Sequence, residues 1–226
     1  MTKKEGKGVK RSKGMAEKIQ RTERLIETLK KTYPEAHCEL NYTTPLELLI
    51  ATILSAQCTD VLVNQVTPFL FKKYKSANDY AAVSLSELEN DLKRIGLFRS
   101  KAKNIQSCCT VLRDRYQGEV PQTLEQLIEL GGVGRKTANV VLGNAFGIES
   151  GVVVDTHVSR LAQRMGLTRE SDPKKIELEL MTLVKKEQWT IFSHWMIWHG
   201  RRRCKARNPD CENCEWESHC LKREIA

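Results

Sequence analysis

Two groups of residues in this sequence have the types and spacing to do chemistry. The first is built around Lys136, in the run Gly131-Gly132-Val133-Gly134-Arg135-Lys136-Thr137. Three glycines in four positions permit positive φ and a close backbone approach. A turn this tight between two helices leaves the first N–H groups of the second helix unpaired. With the positive end of the helix dipole behind them, those groups form an anion site suited to phosphate. Lys136 falls in the first turn of that second helix, beside Arg135. The dipole, the neighbouring cation and any desolvation all disfavour its ammonium form. A neutral amine at that place is a nucleophile capable of Schiff-base chemistry. A lysine that only grips phosphate, on an αα-hairpin that only turns the chain, would use the same residues.

The second group is Cys204, Cys211, Cys214 and Cys220, spaced C-x6-C-x2-C-x5-C. Four thiolates on one short loop can wrap a tetrahedral centre, either zinc or a cubane iron–sulfur cluster. Zinc sites usually pair two short knuckles and only one C-x-x-C is present, so spacing leaves both metals open. Cys38, Cys58, Cys108 and Cys109 lie in or beside helical runs and read as small core residues. Asp155, after Val152-Val153-Val154 and before Thr156-His157, reads by itself as a helix N-cap. A capping carboxylate is fixed in orientation, so the same residue can also serve chemistry. His157 reads as a packed or capping histidine.

The chain of 226 residues carries a formal charge of +9. The first fourteen residues hold six Lys/Arg and one acid, a net +5. This stretch, 1–14, reads as a basic disordered arm that adds salt-sensitive attraction to polyanions or simply solubilises the chain. No apolar run is long enough for a membrane span and no signal-peptide core is visible. The expected setting is intracellular, where eight cysteines favour metal ligation over disulfides.

The elements that must position these groups are helical, giving an all-α fold. Ala16–Lys31 carries Ile19, Leu25, Ile26 and Leu29 on one face and stops at Tyr33-Pro34. Thr44-Pro45 opens an apolar run, 46–54, dense enough to be a central buried helix. Asp60 is the expected cap of 61–73, Ser84-x-x-Glu87 of the next helix, and Gly96 its stop. Ser100 opens a helix to about Tyr116, and Thr123-x-x-Gln126 leads into the glycine turn. After an extended Val152–Val154 piece come helices near 157–165, 173–186 and 188–199, then a Cys-rich loop. No linker cuts the chain cleanly, so a second domain would combine both ends around a continuous middle.

Together these motifs resemble the endonuclease III family of DNA base-excision glycosylases. The glycine turn is similar to that family's helix–hairpin–helix, and the cysteine spacing is similar to its C-terminal 4Fe-4S loop at all four positions. The resemblance runs from roughly Ile19 to Leu221. It implies two all-α lobes with DNA in the groove between them. One is a six-helix barrel domain over 38–149, and the other a discontinuous cluster domain from 15–37 and 150–226. Lys136 matches the catalytic lysine of G-V-G-x-K-T, and Asp155 the aspartate of V-D-T-H. Cys204, Cys211, Cys214 and Cys220 become the 4Fe-4S ligands, with Lys205 and Arg207 as phosphate contacts on the loop they order. Gly132, Gly134 and Arg135 become DNA contacts of the hairpin. Leu54-Ser55-Ala56-Gln57-Cys58-Thr59-Asp60 resembles the family's S-A-Q-x-T-D stretch, where Gln57 would fill the gap left by an extruded nucleotide. Ile95-Gly96-Leu97-Phe98 resembles the loop whose leucine, here Leu97, wedges into the opposite strand.

The resemblance implies a bifunctional DNA glycosylase and AP lyase that excises oxidised pyrimidines and nicks the strand 3′ to the site. Its partner would be duplex DNA carrying damaged pyrimidines or abasic sites, bound by a monomer in the cytoplasm at the nucleoid. The adenine-mismatch branch lacks the lysine, uses a glutamate near the start of the barrel and carries an extra C-terminal domain. Here Lys136 is present, no carboxylate occurs from Leu48 to Gln57, and few residues follow Cys220. The Gly147–Gly151 connection is slightly longer than the family's common form. A non-catalytic DNA-binding module is the competing class.

Overall fold

The computed structural model describes residues 5–222, with side chains from Gly14 onward. Those residues form eleven α-helices and two short 3-10 helices, with no strand among them. The chain divides into two compact units, one of residues 38–150 and one combining 1–37 with 151–226. Each has its own apolar core.

The discontinuous unit opens with α1 (Glu5–Thr32), which buries Thr22, Leu25, Ile26 and Leu29. α1 begins well before Ala16. Residues 1–4 of the basic arm lie outside the described residues. Ile19 is also exposed rather than inward. Tyr33 closes the helix through its N–H on the Leu29 carbonyl.

The continuous unit is organised around α2 (Pro45–Leu54), whose residues from Leu48 to Leu54 are all buried. Thr44 caps it, accepting from the Glu47 N–H, with proline at the first helical position as expected. α3 (Asp60–Lys73) is capped by Thr59 rather than Asp60. The threonine hydroxyl reaches the Leu62 N–H, which leaves Asp60 inside the first turn, where a carboxylate suits the dipole. α4 (Ala77–Ala82) is too short to show periodicity, but Ser76 and Asp79 form a reciprocal capping box before it.

α5 (Leu85–Asp91) starts at the Ser84 cap and ends at Leu92, not Gly96. Gly96 instead belongs to the turn before α6 (Phe98–Tyr116), which begins two residues earlier than Ser100. α7 (Leu124–Ile128) and α8 (Arg135–Phe146) enclose the glycine turn, with Thr123 capping α7. Gly147 ends α8 at φ 66, a left-handed cap that glycine adopts without a Cβ penalty. The Ser150 hydroxyl then donates to Asn139 Oδ1 at 2.8 Å.

The discontinuous unit resumes with Val152–Val154, buried and irregular rather than a strand. α9 (Thr156–Arg164) follows the Asp155 cap, α10 (Pro173–Leu183) the Asp172 cap, and α11 (Trp189–Arg202) leads into the cysteine loop. Among the described residues no helix is long and apolar enough to cross a membrane.

Candidate active site and cysteine centre

The hairpin between α7 and α8 is shaped by glycines with different tasks. Gly132 has φ +76, the left-handed region. A Cβ on Gly131 would stand 2.9 Å from the Asn104 carbonyl oxygen, so that glycine lets the turn press on α6. Gly134 needs neither freedom. Its φ is −91, and a side chain there would meet no protein atom within 4 Å. It caps α8 with no side-chain hydrogen bond, so the positive end of α8 lies behind open space. Val133 is the apolar pin of the turn, buried beside Leu130 and Leu127.

Lys136 stands one residue into α8 and is exposed. Arg135 beside it is half-buried.

Gln57 and Leu97 lie in two turns of the same unit, and both are exposed with positive φ, 52 and 58. Left-handed backbone is unusual for residues other than glycine. Leu97 is 60 % exposed, a large apolar side chain held in water at the N-terminus of α6.

Asp155 caps α9, accepting from the Val158 N–H at 2.8 Å. The capping reading therefore holds, and the carboxylate is half-buried and fixed. His157 is packed as expected, its Nδ1 3.2 Å from Arg160 Nη2, and burial lowers its pKa. Two arginines that the sequence reading passed over tie α9 to the loop of the first cysteine. Arg160 donates to the carbonyls of Gly200 and Cys204 at 3.0 and 2.8 Å. Arg164 donates to those of Lys205 and Ala206 at 2.7 and 3.0 Å, and lies 3.4 Å from Cys204 Sγ. Their spacing of four places them on one helical face, a signal visible in retrospect. Lys205 and Arg207 themselves are exposed.

Cys204, Cys211, Cys214 and Cys220 all line one pocket, partly open to solvent, with His199 and Met165 among its walls. All four are free thiols. Among the described residues no three His, Cys, Asp or Glu side chains close on a single-ion centre. Burial raises the Cys214 thiol to about 11 and also raises Cys220. His199, which burial lowers to about 4, lies with Nε2 3.6 Å from Cys214 Sγ and Nδ1 3.1 Å from the Tyr33 hydroxyl. Cys108 and Cys109 are wholly buried and Cys38 and Cys58 pack against the same core, as small core residues do.

Comparison with known proteins places this arrangement in a class. Residues 50–186 match the model of the HhH-GPD superfamily base excision DNA repair protein. Endonuclease III of Synechocystis is 52% identical over 206 residues, covering 91% of this chain and 94% of the relative. Endonuclease III of Bacillus subtilis is 47% identical, covering 89% and 92%. A solved non-covalent endonuclease III–DNA complex superposes with a TM-score of 0.87 at 48% identity, covering 90% of this chain and 95% of the other. The chain belongs to the endonuclease III family within that superfamily. It is thus a base-excision DNA glycosylase with AP lyase activity, and DNA is its partner.

Proposed function

We propose that the chain excises oxidised pyrimidines from duplex DNA in the cytoplasm, at the nucleoid, with Lys136 as nucleophile and Asp155 as its carboxylate partner. The observation that carries the proposal is the exposed Lys136, two residues past the open N-cap Gly134 at the positive end of α8. A solved relative, also 48% identical, is a trapped endonuclease III–DNA covalent intermediate, which supports a nucleophile of this kind.

Phosphate oxygens accept from the Gly132–Arg135 backbone, and the damaged nucleotide rotates out of the stack. Gln57 takes the vacated space and Leu97 wedges the opposite strand. Covering DNA removes water from Lys136, which favours the neutral amine. Its Nζ attacks C1′ as the C1′–N bond breaks, and the base leaves with the electron pair and takes a proton from solvent. Asp155 stabilises positive charge on the sugar and accepts a proton from the amine. The sugar ring opens to an imine, a C2′ proton is lost and the C3′–O bond breaks. That leaves the nick 3′ to the site, and water hydrolyses the imine to free Lys136.

Cys204, Cys211, Cys214 and Cys220 would hold a 4Fe-4S cluster. The donor set fits, because four free cysteines from one loop line the same pocket. When bound, the cluster supplies structural cross-linking of the loop rather than glycosylase chemistry. Lys205 and Arg207 on that loop bind phosphate.

Borohydride trapping on duplex DNA with a single thymine glycol tests the assignment. A covalent adduct with wild type and none with Lys136→Gln, at retained duplex binding, is the expected result. Unchanged nicking by purified Lys136→Gln protein would sink the mechanism.

A further inference from the structure

We infer that Lys101 is a positioning residue, whose ammonium group, clamped on the last carbonyl of α2, holds Gln57 and Leu97 as one rigid pair for prising the target nucleotide from the stack. This rests on the reading above, in which those two side chains enter the duplex.

Lysine is among the residues least often fully buried, yet Lys101 is only 4% exposed. It stands on the inward stripe of α6, one turn before Ile105 and two before Cys109, all buried. An apolar residue would fill that stripe at no desolvation cost, so packing alone does not call for a cation. Burial lowers its pKa, opposed by the neighbouring Cys58.

The ammonium group donates to the Leu54 carbonyl at 2.8 Å. That oxygen belongs to the last turn of α2, where carbonyls lack helical partners and the dipole is negative. The turn Ser55–Cys58 starts at once, closed by the Cys58 N–H on the Ser55 carbonyl at 3.1 Å. Gln57 sits in that turn with φ 52. At its other end Lys101 donates its backbone N–H to the Leu97 carbonyl at 3.1 Å, and Leu97 has φ 58. The two turns also approach each other, since a Cβ on Gly96 would stand 3.9 Å from the Gln57 carbonyl oxygen.

Left-handed backbone at a residue other than glycine is strained and persists only where the surroundings over-determine it. Lys101 bonds to both surroundings, by its side chain to one turn and by its backbone to the other. Losing the charged clamp frees the Gln57 turn to relax while the Leu97 turn keeps its backbone bond. The two side chains then lose their common register.

The test uses full-length, cluster-loaded protein with Lys101→Met and Lys101→Gln, each checked for folding by thermal melting. Extrusion is read from 2-aminopurine fluorescence beside a thymine glycol, and chemistry from single-turnover nicking. Extrusion and lesion excision should slow about ten- to a hundredfold, the range a small misplacement costs. Nicking of a preformed abasic site, which has no base to extrude, should hold within about threefold of wild type. In a Gln57→Ala/Leu97→Ala background, Lys101→Met should slow extrusion no further. Wild-type extrusion in either variant, or full additivity in that background, overturns the proposal. Failure of both variants to fold assigns Lys101 to the fold and also overturns it. A wild-type protein that traps no DNA would instead remove the Lys136 reading, leaving the extrusion result to be judged separately.

Discussion

The two units hold their chemistry in different ways. In the unit of residues 38–150, Lys136 sits on a backbone feature: a glycine turn pressed on α6, with its helix buried through Ala138, Val141 and Leu142. Apolar packing around α2 supplies the rigidity. In the unit of 1–37 and 151–226, Asp155 sits on a polar framework. Its cap bond to Val158, the arginines on α9 and the Tyr33–His199–Cys214 contacts connect to four cysteines around a pocket. One unit is complete as an apolar core. The other converges on a place where four buried or half-buried cysteines line one pocket.

The largest effect should come from separating the two tasks of Asp155. Asparagine caps almost as well as aspartate, so Asp155→Asn should melt with wild type yet lose about a hundred- to ten-thousandfold in single-turnover excision. Near-normal excision would reduce Asp155 to a cap. Next comes loss of a cysteine. Metal binding in such small centres is folding free energy, so Cys211→Ser should cost at least about 3 kcal/mol in hydrogen-exchange protection of α9 and α11. Amides of α2 should keep theirs, and equal loss in both units would erase the contrast drawn here.

Arg164→Leu sharpens the same contrast. It removes the charged hydrogen bonds to the carbonyls of Lys205 and Ala206, and such bonds contribute about 1.5–3 kcal/mol each. Chemical denaturation should show that loss together with a shallower salt dependence of DNA binding as Lys205 and Arg207 lose their fixed backbone. The smallest effect lies in the apolar unit. Ser76→Ala should cost about 1 kcal/mol by removing the α4 cap. The partner carboxylate of that cap, Asp79, has its pKa lowered by the Lys75 backbone N–H and then by Ser76. Its folded value is depressed, so its stabilisation is full above the ordinary 3.8 and fades as pH falls through the folded value. The stability gap between wild type and Asp79→Asn should therefore be constant near neutrality and close in acid, which melting across pH would show.

Much of this was legible in the chain because the signals were local. Thr44-Pro45, Ser84, Thr123 and Asp172 all cap the helices they precede, since a cap is a bond across three residues. The glycine turn was legible for the same reason, although which glycine does what was not. Gly131 is required by Asn104, twenty-seven residues earlier, and no local pattern reports such an approach. Capping was misplaced at Asp60, where two adjacent oxygen-bearing side chains compete and backbone geometry selects Thr59.

By itself the sequence determined that the chain is all helical, where most helices begin, and that one lysine follows a phosphate-sized turn and four cysteines share one loop. Those properties follow from spacing within a few residues, where geometry is fixed by the peptide bond and the helical period. Only the tertiary structure decided that Lys101 is buried on the Leu54 carbonyl, that Arg160 and Arg164 tie α9 to the cysteine loop, and that the four cysteines line one pocket. Each of those depends on which distant backbone comes within about 3 Å of a charged or polar head, the range of a hydrogen bond. That is set by how the whole core packs.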